Sequence, residues 1–198
     1  MPAVERNELY GKVCGFELVP ELLGDGEGQY RIGAAVALVL YIIGREHTAN
    51  YTAGLFGRIG IDAIILKSAL ATVALGLAVV QVLLALWIYR KLPLAGRAPK
   101  PIRMTHRIIG FIGLAVTLPV AIHCFMAYGV VLTDPRIMIH SIAGCVLYGA
   151  FVAKVLLVQS KKLPGWALPV AGGLLALLIA LLWYTSALWY YNGFKVPI

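Results

Sequence analysis

Four apolar runs, each of twenty or more residues and nearly free of charge, fill most of the chain between Gly60 and Tyr190. A helix needs about 20 such residues to cross roughly 30 Å of hydrocarbon. Soluble domains carry about 25% charged residues, whereas this chain carries 13% and is 61% hydrophobic. That little charge cannot clothe a water-facing surface, so lipid must cover most of it. The pattern predicts an all-α fold, a polytopic membrane helix bundle. Its spans are expected at about 30–45, 60–89, 105–128, 137–160 and 166–190, the first of them short. Around these lie a polar, weakly amphipathic segment at 1–29, a transmembrane domain at 30–191 and a short external tail at 192–198.

The net charge of +8 sits in short loops between apolar runs, which speaks for membrane orientation and against nucleic acid. Counted on alternate sides, one face of the bundle holds eleven basic residues, among them Arg90, Lys91, Arg97, Lys100 and Arg103, and the other holds four. Positive residues stay inside, so the amino terminus is expected in the cytoplasm and the carboxyl terminus outside a bacterial cytoplasmic (inner) membrane. Cys14, Cys124 and Cys145 are odd in number and lack CxxC spacing, so they imply no disulfide framework. Helices in lipid approach through small residues at four-residue spacing. Ser68, Thr72 and Gly76 form one such ridge, and Gly113, Thr117 and Ala121 another.

Ionisable side chains are costly in hydrocarbon, which makes each one a functional candidate. No acid lies deep in a span; the candidates are His106, His123, His140, Lys67 and Lys154. The tight turn Thr133-Asp134-Pro135-Arg136 predicts that the spans on either side of it are antiparallel neighbours. His123 and His140 then share one depth in the outer half of the bilayer. Two neutral imidazoles so placed suit the iron of a b-type haem. Gly144, one turn beyond His140, leaves room for a flat macrocycle, and Pro119, four residues before His123, is expected to kink its helix. Lys67, Arg58 and Arg136 are the cations that could meet haem propionates. His106 lies 17 residues before His123, about 25 Å away, at the cytoplasmic face beside lipid phosphate or a quinone headgroup. The bland reading, in which each histidine only bonds a carbonyl or a headgroup, stands beside the haem reading.

The stretches LFGRIGIDAIILKSALATVALGLAVVQ, HRIIGFIGLAVTLPVAIHC, IHSIAGCVLYGAFVAKV and LPGWALPVAGGLLALL resemble the uncharacterised bacterial membrane family known as domain of unknown function 6529. More distantly, the layout is similar to the cytochrome b561 and ferric reductase group of transmembrane b-type cytochromes. That second resemblance implies paired histidines holding haem, but no helix here carries two histidines 13–14 residues apart. One outer haem, on His123 and His140, is the most it implies. The expected function is a membrane cytochrome with a single bis-histidine haem b, an oxidoreductase component carrying electrons between membrane quinol and an external iron–sulfur or c-type cytochrome partner. A place as one subunit of a larger complex is expected with it. A haem-free structural or assembly subunit is the first alternative and a small-solute or ion transporter the second.

Overall fold

The computed structural model describes residues 27–92, 96–160 and 163–195, and all of the regular structure among them is helical. The amphipathic reading of 1–29 falls almost wholly outside these residues. The helices are α1 (Glu27–Glu46), α2 (Gly60–Ile88), α3 (Lys100–Tyr128), α4 (Pro135–Gln159) and α5 (Ala167–Trp183). From α5 the chain continues through one π-helical turn, Tyr184–Leu188, into a last helical turn, Trp189–Tyr191. Four helices, α2, α3, α4 and α5 with its extension, are long and apolar enough to cross a membrane.

Burial is arranged as a lipid solvent dictates. Large apolar side chains point outward, with Leu38 58%, Phe111 71% and Leu177 70% exposed. The interior is built instead from small residues, including Ala63, Ala74, Ala127, Ala143, Ala153 and Ala171. With no hydrophobic drive between helices in lipid, close backbone approach and polar contacts must do the joining.

Local chemistry sets the helix boundaries. Asp134 caps α4 by accepting from the Ile137 N–H at 3.0 Å, and Pro135 follows where no amide hydrogen is needed. α3 starts at Lys100, five residues before the expected Thr105, because Pro101 fits a first turn. It then runs without a break through Pro119 to Tyr128.

The packing order departs from the sequence order. α1 lies on α4, α4 on α5, α5 on α2 and α2 on α3. The expectation that α3 and α4 pack as neighbours across their turn is therefore corrected: their backbones stand apart. The cause lies at the carboxyl-terminal end of α1, the end of the bundle that the charge count is expected to put outside. Gly129 takes a left-handed φ of +65°, and a Cβ there would stand 2.7 Å from the Gly44 carbonyl. Val130 N–H then donates to that carbonyl at 2.8 Å, and Arg45 Nη1 donates to Val130 O at 3.3 Å. The end of α1 is thus drawn against the end of α3, with Gly44 against Val130 and the Phe125 ring. The chain is led away before α4 begins.

The close helix crossing is also not where the small-residue ridges place it. Gly76 and Gly113 have no neighbouring atom within 4 Å of where a Cβ would stand. The tight contact is Gly33 of α1 against Gly149 of α4, where a Cβ on Gly33 would lie 2.6 Å from the Gly149 carbonyl oxygen. Ala37 and Ala153, one turn along on each helix, continue the contact. α2 and α5 are joined differently, by Trp183 Nε1 donating to Thr72 Oγ1 at 3.0 Å, while Thr72 Oγ1 donates to the Ser68 carbonyl at 2.8 Å.

Candidate functional site

Polar side chains gather at two levels, and the outer one holds the predicted histidines. His123 stands five residues before the end of α3 and His140 five residues after the start of α4. At 1.5 Å per residue each lies about 8 Å below the outer helix ends. Lys67 of α2 and Thr185 of the π turn reach the same level. Lys67 Nζ donates to the Tyr128 hydroxyl at 3.3 Å and sits 4.6 Å from the centre of that ring.

His140 is held in one tautomer. The Thr185 hydroxyl donates to the Leu181 carbonyl at 2.9 Å, within reach also of Leu182 O at 3.2 Å. Its hydrogen being committed, Thr185 Oγ1 accepts from His140 Nδ1 at 2.9 Å. The proton therefore sits on Nδ1, and Nε2 keeps its lone pair. A second-shell partner of this kind is how proteins present imidazole to a metal. In the π turn the Thr185 carbonyl accepts from Arg136 Nη1 at 2.8 Å. The Arg136 guanidinium also lies 3.9 Å from the centre of the Trp189 ring. One turn from His140, a Cβ on Gly144 would meet nothing within 4 Å.

His123 is placed otherwise. Its Nε2 donates to the Ala53 carbonyl at 3.0 Å, and its Nδ1 is buried with no hydrogen-bond partner. The ring is 5% exposed and meets Tyr128 edge-on, the centroids 6.1 Å apart. It forms the base of an apolar groove of about 550 Å³ lined by Ala53, Phe56, Leu118, Pro119 and Ile122. His47 Nε2 pins the same loop by donating to the Met126 carbonyl at 3.0 Å.

These contacts permit a direct test of fit for haem. His140 fits an axial position: neutral, oriented, with a free Nε2 and an open flank at Gly144. His123 as placed does not, because one nitrogen is bonded to Ala53 and the other is sealed. A bis-histidine site requires that Ala53 bond to be exchanged for iron. Lys67 stands at the right level for a carboxylate. Arg136 is engaged by Thr185 and Trp189, and Arg58 lies exposed on the loop before α2. Among the described residues no group of three or more His, Cys, Asp or Glu side chains could hold a bare metal ion.

The inner level was not foreseen as a cluster. Gln81 of α2, His106 of α3 and Lys154 of α4 stand seven, six and five residues from the inner ends of their helices. Gln81 Nε2 donates to the His106 carbonyl at 2.5 Å. Among the described residues, the Gln81 Oε1 and His106 Nδ1 atoms are buried without hydrogen-bond partners, while the Tyr148 side chain of α4 reaches Thr117 of α3. Lys154 Nζ lies 3.6 Å from where a Cβ on Gly172 of α5 would stand. The signal in the sequence was the matched spacing of one polar residue per helix from each inner end.

No curated protein and no solved structure matches the chain, and nothing found supports the likeness to cytochrome b561. The family described as "Family of unknown function (DUF6529)" matches residues 28–198, and the chain belongs to that family.

Proposed function

We propose that the protein is a membrane-embedded electron carrier of b-cytochrome type, with one haem at the outer level and His140 as an axial ligand. The observation that carries this reading is the 2.9 Å hydrogen bond between His140 Nδ1 and Thr185 Oγ1, one helical turn from the open flank of Gly144. Haem would supply reversible one-electron exchange, while the chain supplies nitrogen ligands, burial and cations. His123 would be the second residue to hold the haem, provided its bond to Ala53 is given up. Lys67 is the cation placed to meet a propionate, a carboxylate otherwise costly to bury. Held by two imidazoles, the haem would supply outer-sphere electron transfer between quinol in the bilayer and an external iron–sulfur or c-type partner. The chain works as one subunit of a redox complex in a bacterial cytoplasmic membrane.

The same reading takes α1 as a fifth crossing, with the amino terminus on the cytoplasmic side. Support comes from α1 lying along α4, with Gly33 at the level of Gly149 and Ala153, and Gly44 at Val130 beyond the opposite end. The basic residues of the segments before α1 and α3 support that orientation.

A visible spectrum of the protein purified from haem-replete cells tests the proposal. Reducible α and Soret bands are expected, abolished by His140→Ala and weakened or shifted by His123→Ala. A colourless protein would leave the other reading that one contact favours: a structural subunit in which His123 only ties the loop at Ala53 to α3.

A further inference from the structure

Charge is sorted along this chain. No acidic residue lies between Asp62 and Asp134, and none follows Asp134. Glu46, Asp62 and Asp134 themselves stand at the helix ends beside the outer level. The inner end of the bundle carries Arg90, Lys91, Arg97, Lys100, Arg103 and Arg107, all exposed. None of these six meets an acid: among the described residues the one ion pair joins Arg31 to Glu27. The acids that remain in the sequence are Glu5, Glu8, Glu17, Glu21 and Asp25, all before α1, with only Arg6 and Lys12 as bases among them.

The acidic segment and the cations belong to the same end of the bundle. Gly33, in the second turn of α1, meets Gly149 and Ala153 towards the finish of α4. Thr185 and Trp183 meet His140 near the start of α4 and Thr72 in the first half of α2, so α2 and α4 finish together at the other end. Arg90 and Lys91 follow that finish of α2, and Lys100, Arg103 and Arg107 open α3. In the packing order α3 stands four neighbours from α1, at most about 40 Å at 8–10 Å per helix pair. Residues 1–26 span up to about 85 Å when extended, so their reach covers the whole inner end. Lipid is the poorer partner for them: segments that rest on head groups are rich in Lys and Arg, and anionic head groups repel acids.

We propose that residues 5–25 seat across the inner end of the bundle, their acids against the cations that join α2 to α3 and open α3. Lys100, Arg103, Met104 and Arg107 are spaced three and four apart and share one helix face, with Met104 65% exposed among the cations. Val13 and Phe16, between the acids of the segment, supply apolar partners for that methionine. Each exposed ion pair is weak alone, but a tether holds all of them at a high effective concentration. Seated there, the segment shields the inner face from other anions. The inference goes beyond the electron-carrier reading and does not depend on haem.

Cys14 lies within the segment and serves as its reporter. The test uses the full chain with Cys124 and Cys145 replaced by alanine and a second thiol introduced as Met104→Cys or as Trp166→Cys. Trp166 is 60% exposed at the start of α5, and α5 stands nearer to α1 in the packing order than α3 does. A short bifunctional thiol reagent is applied in phosphatidylcholine nanodiscs, one chain per disc, and mass spectrometry quantifies the linked peptide pair. Linkage to Met104→Cys is expected to exceed linkage to Trp166→Cys about fivefold, although a segment that only wandered would favour the nearer site. Salt at about 0.5 M, which cuts the screening length to a few ångströms, should lower the yield about threefold. Arg103→Glu with Arg107→Glu should lower it likewise, and adding Glu17→Arg with Glu21→Arg should restore it. Thermal unfolding checks that each variant is folded. Equal linkage at the two positions, or a yield that neither salt nor charge reversal moves, overturns the proposal. So does loss of linkage when the discs contain phosphatidylglycerol, which would assign these cations to lipid head groups.

Discussion

A threonine in an apolar helix normally turns its hydroxyl back to the preceding turn, and Thr185 does so while accepting from His140. Valine has the same shape and no acceptor. In Thr185→Val the His140 proton gains nothing by staying on Nδ1, and Nε2 ceases to be reserved as a lone pair. Second-shell losses of this kind cost about 10–100-fold in metal affinity. Haem-to-protein ratio after purification should therefore fall at least tenfold in Thr185→Val and hold in Thr185→Ser. Equal ratios in all three proteins would remove the argument from His140. The histidine itself was legible in the sequence, because an ionisable group inside an apolar run stands out. Thr185 was not, since a small hydroxyl residue in such a run looks like packing. The π turn that frees its carbonyl leaves no mark in the sequence either.

Among the helices, glycine has two opposite meanings here. At Gly149 an added Cβ would run into the backbone carbonyl of Gly33 and the Ala37 side chain, and backbone cannot move aside cheaply. Gly149→Ala should lower stability by about 1–3 kcal/mol, the usual cost of overpacking. At Gly76 the same methyl meets nothing. Gly76→Ala should raise stability by about 0.5–1 kcal/mol, because alanine loses less freedom in a helix. Denaturant unfolding in detergent separates the two signs, and a destabilised Gly76→Ala would mean that face is packed. Small residues at four-residue spacing were visible from the start, but periodicity cannot say which ridge finds a partner. On the α2 ridge Ser68 is buried and Thr72 bonds Trp183 of α5, and only Gly76 lacks a neighbour, whereas the closest crossing is Gly33 on Gly149.

At the scale of the molecule, membrane character and the bounds of four spans could be read from hydropathy, because hydrocarbon thickness fixes helix length. The order of packing could not, since a short turn does not oblige two helices to touch when a third competes for the connection. α1 is such a competitor, and its own status decides the topology. It has 20 residues, with Glu27, Arg31, Arg45 and Glu46 towards its ends, so composition alone leaves it between a crossing and a surface helix. It meets α4 at Gly149 and Ala153 through Gly33, and its far end meets Val130 and Phe125 through Gly44, so under the proposed reading it crosses beside α4. The two termini of the described bundle then lie on opposite sides. Single cysteines at Glu27→Cys and Phe194→Cys, placed in turn in a background with Cys14, Cys124 and Cys145 replaced by alanine, read this out with a membrane-impermeant maleimide. Intact cells should label Phe194→Cys and spare Glu27→Cys, which should react only after permeabilisation. Labelling of both from outside would mean an even number of crossings. α1 would then lie on the surface, and the outer and inner levels assigned to His140 and Lys154 would have to be redrawn.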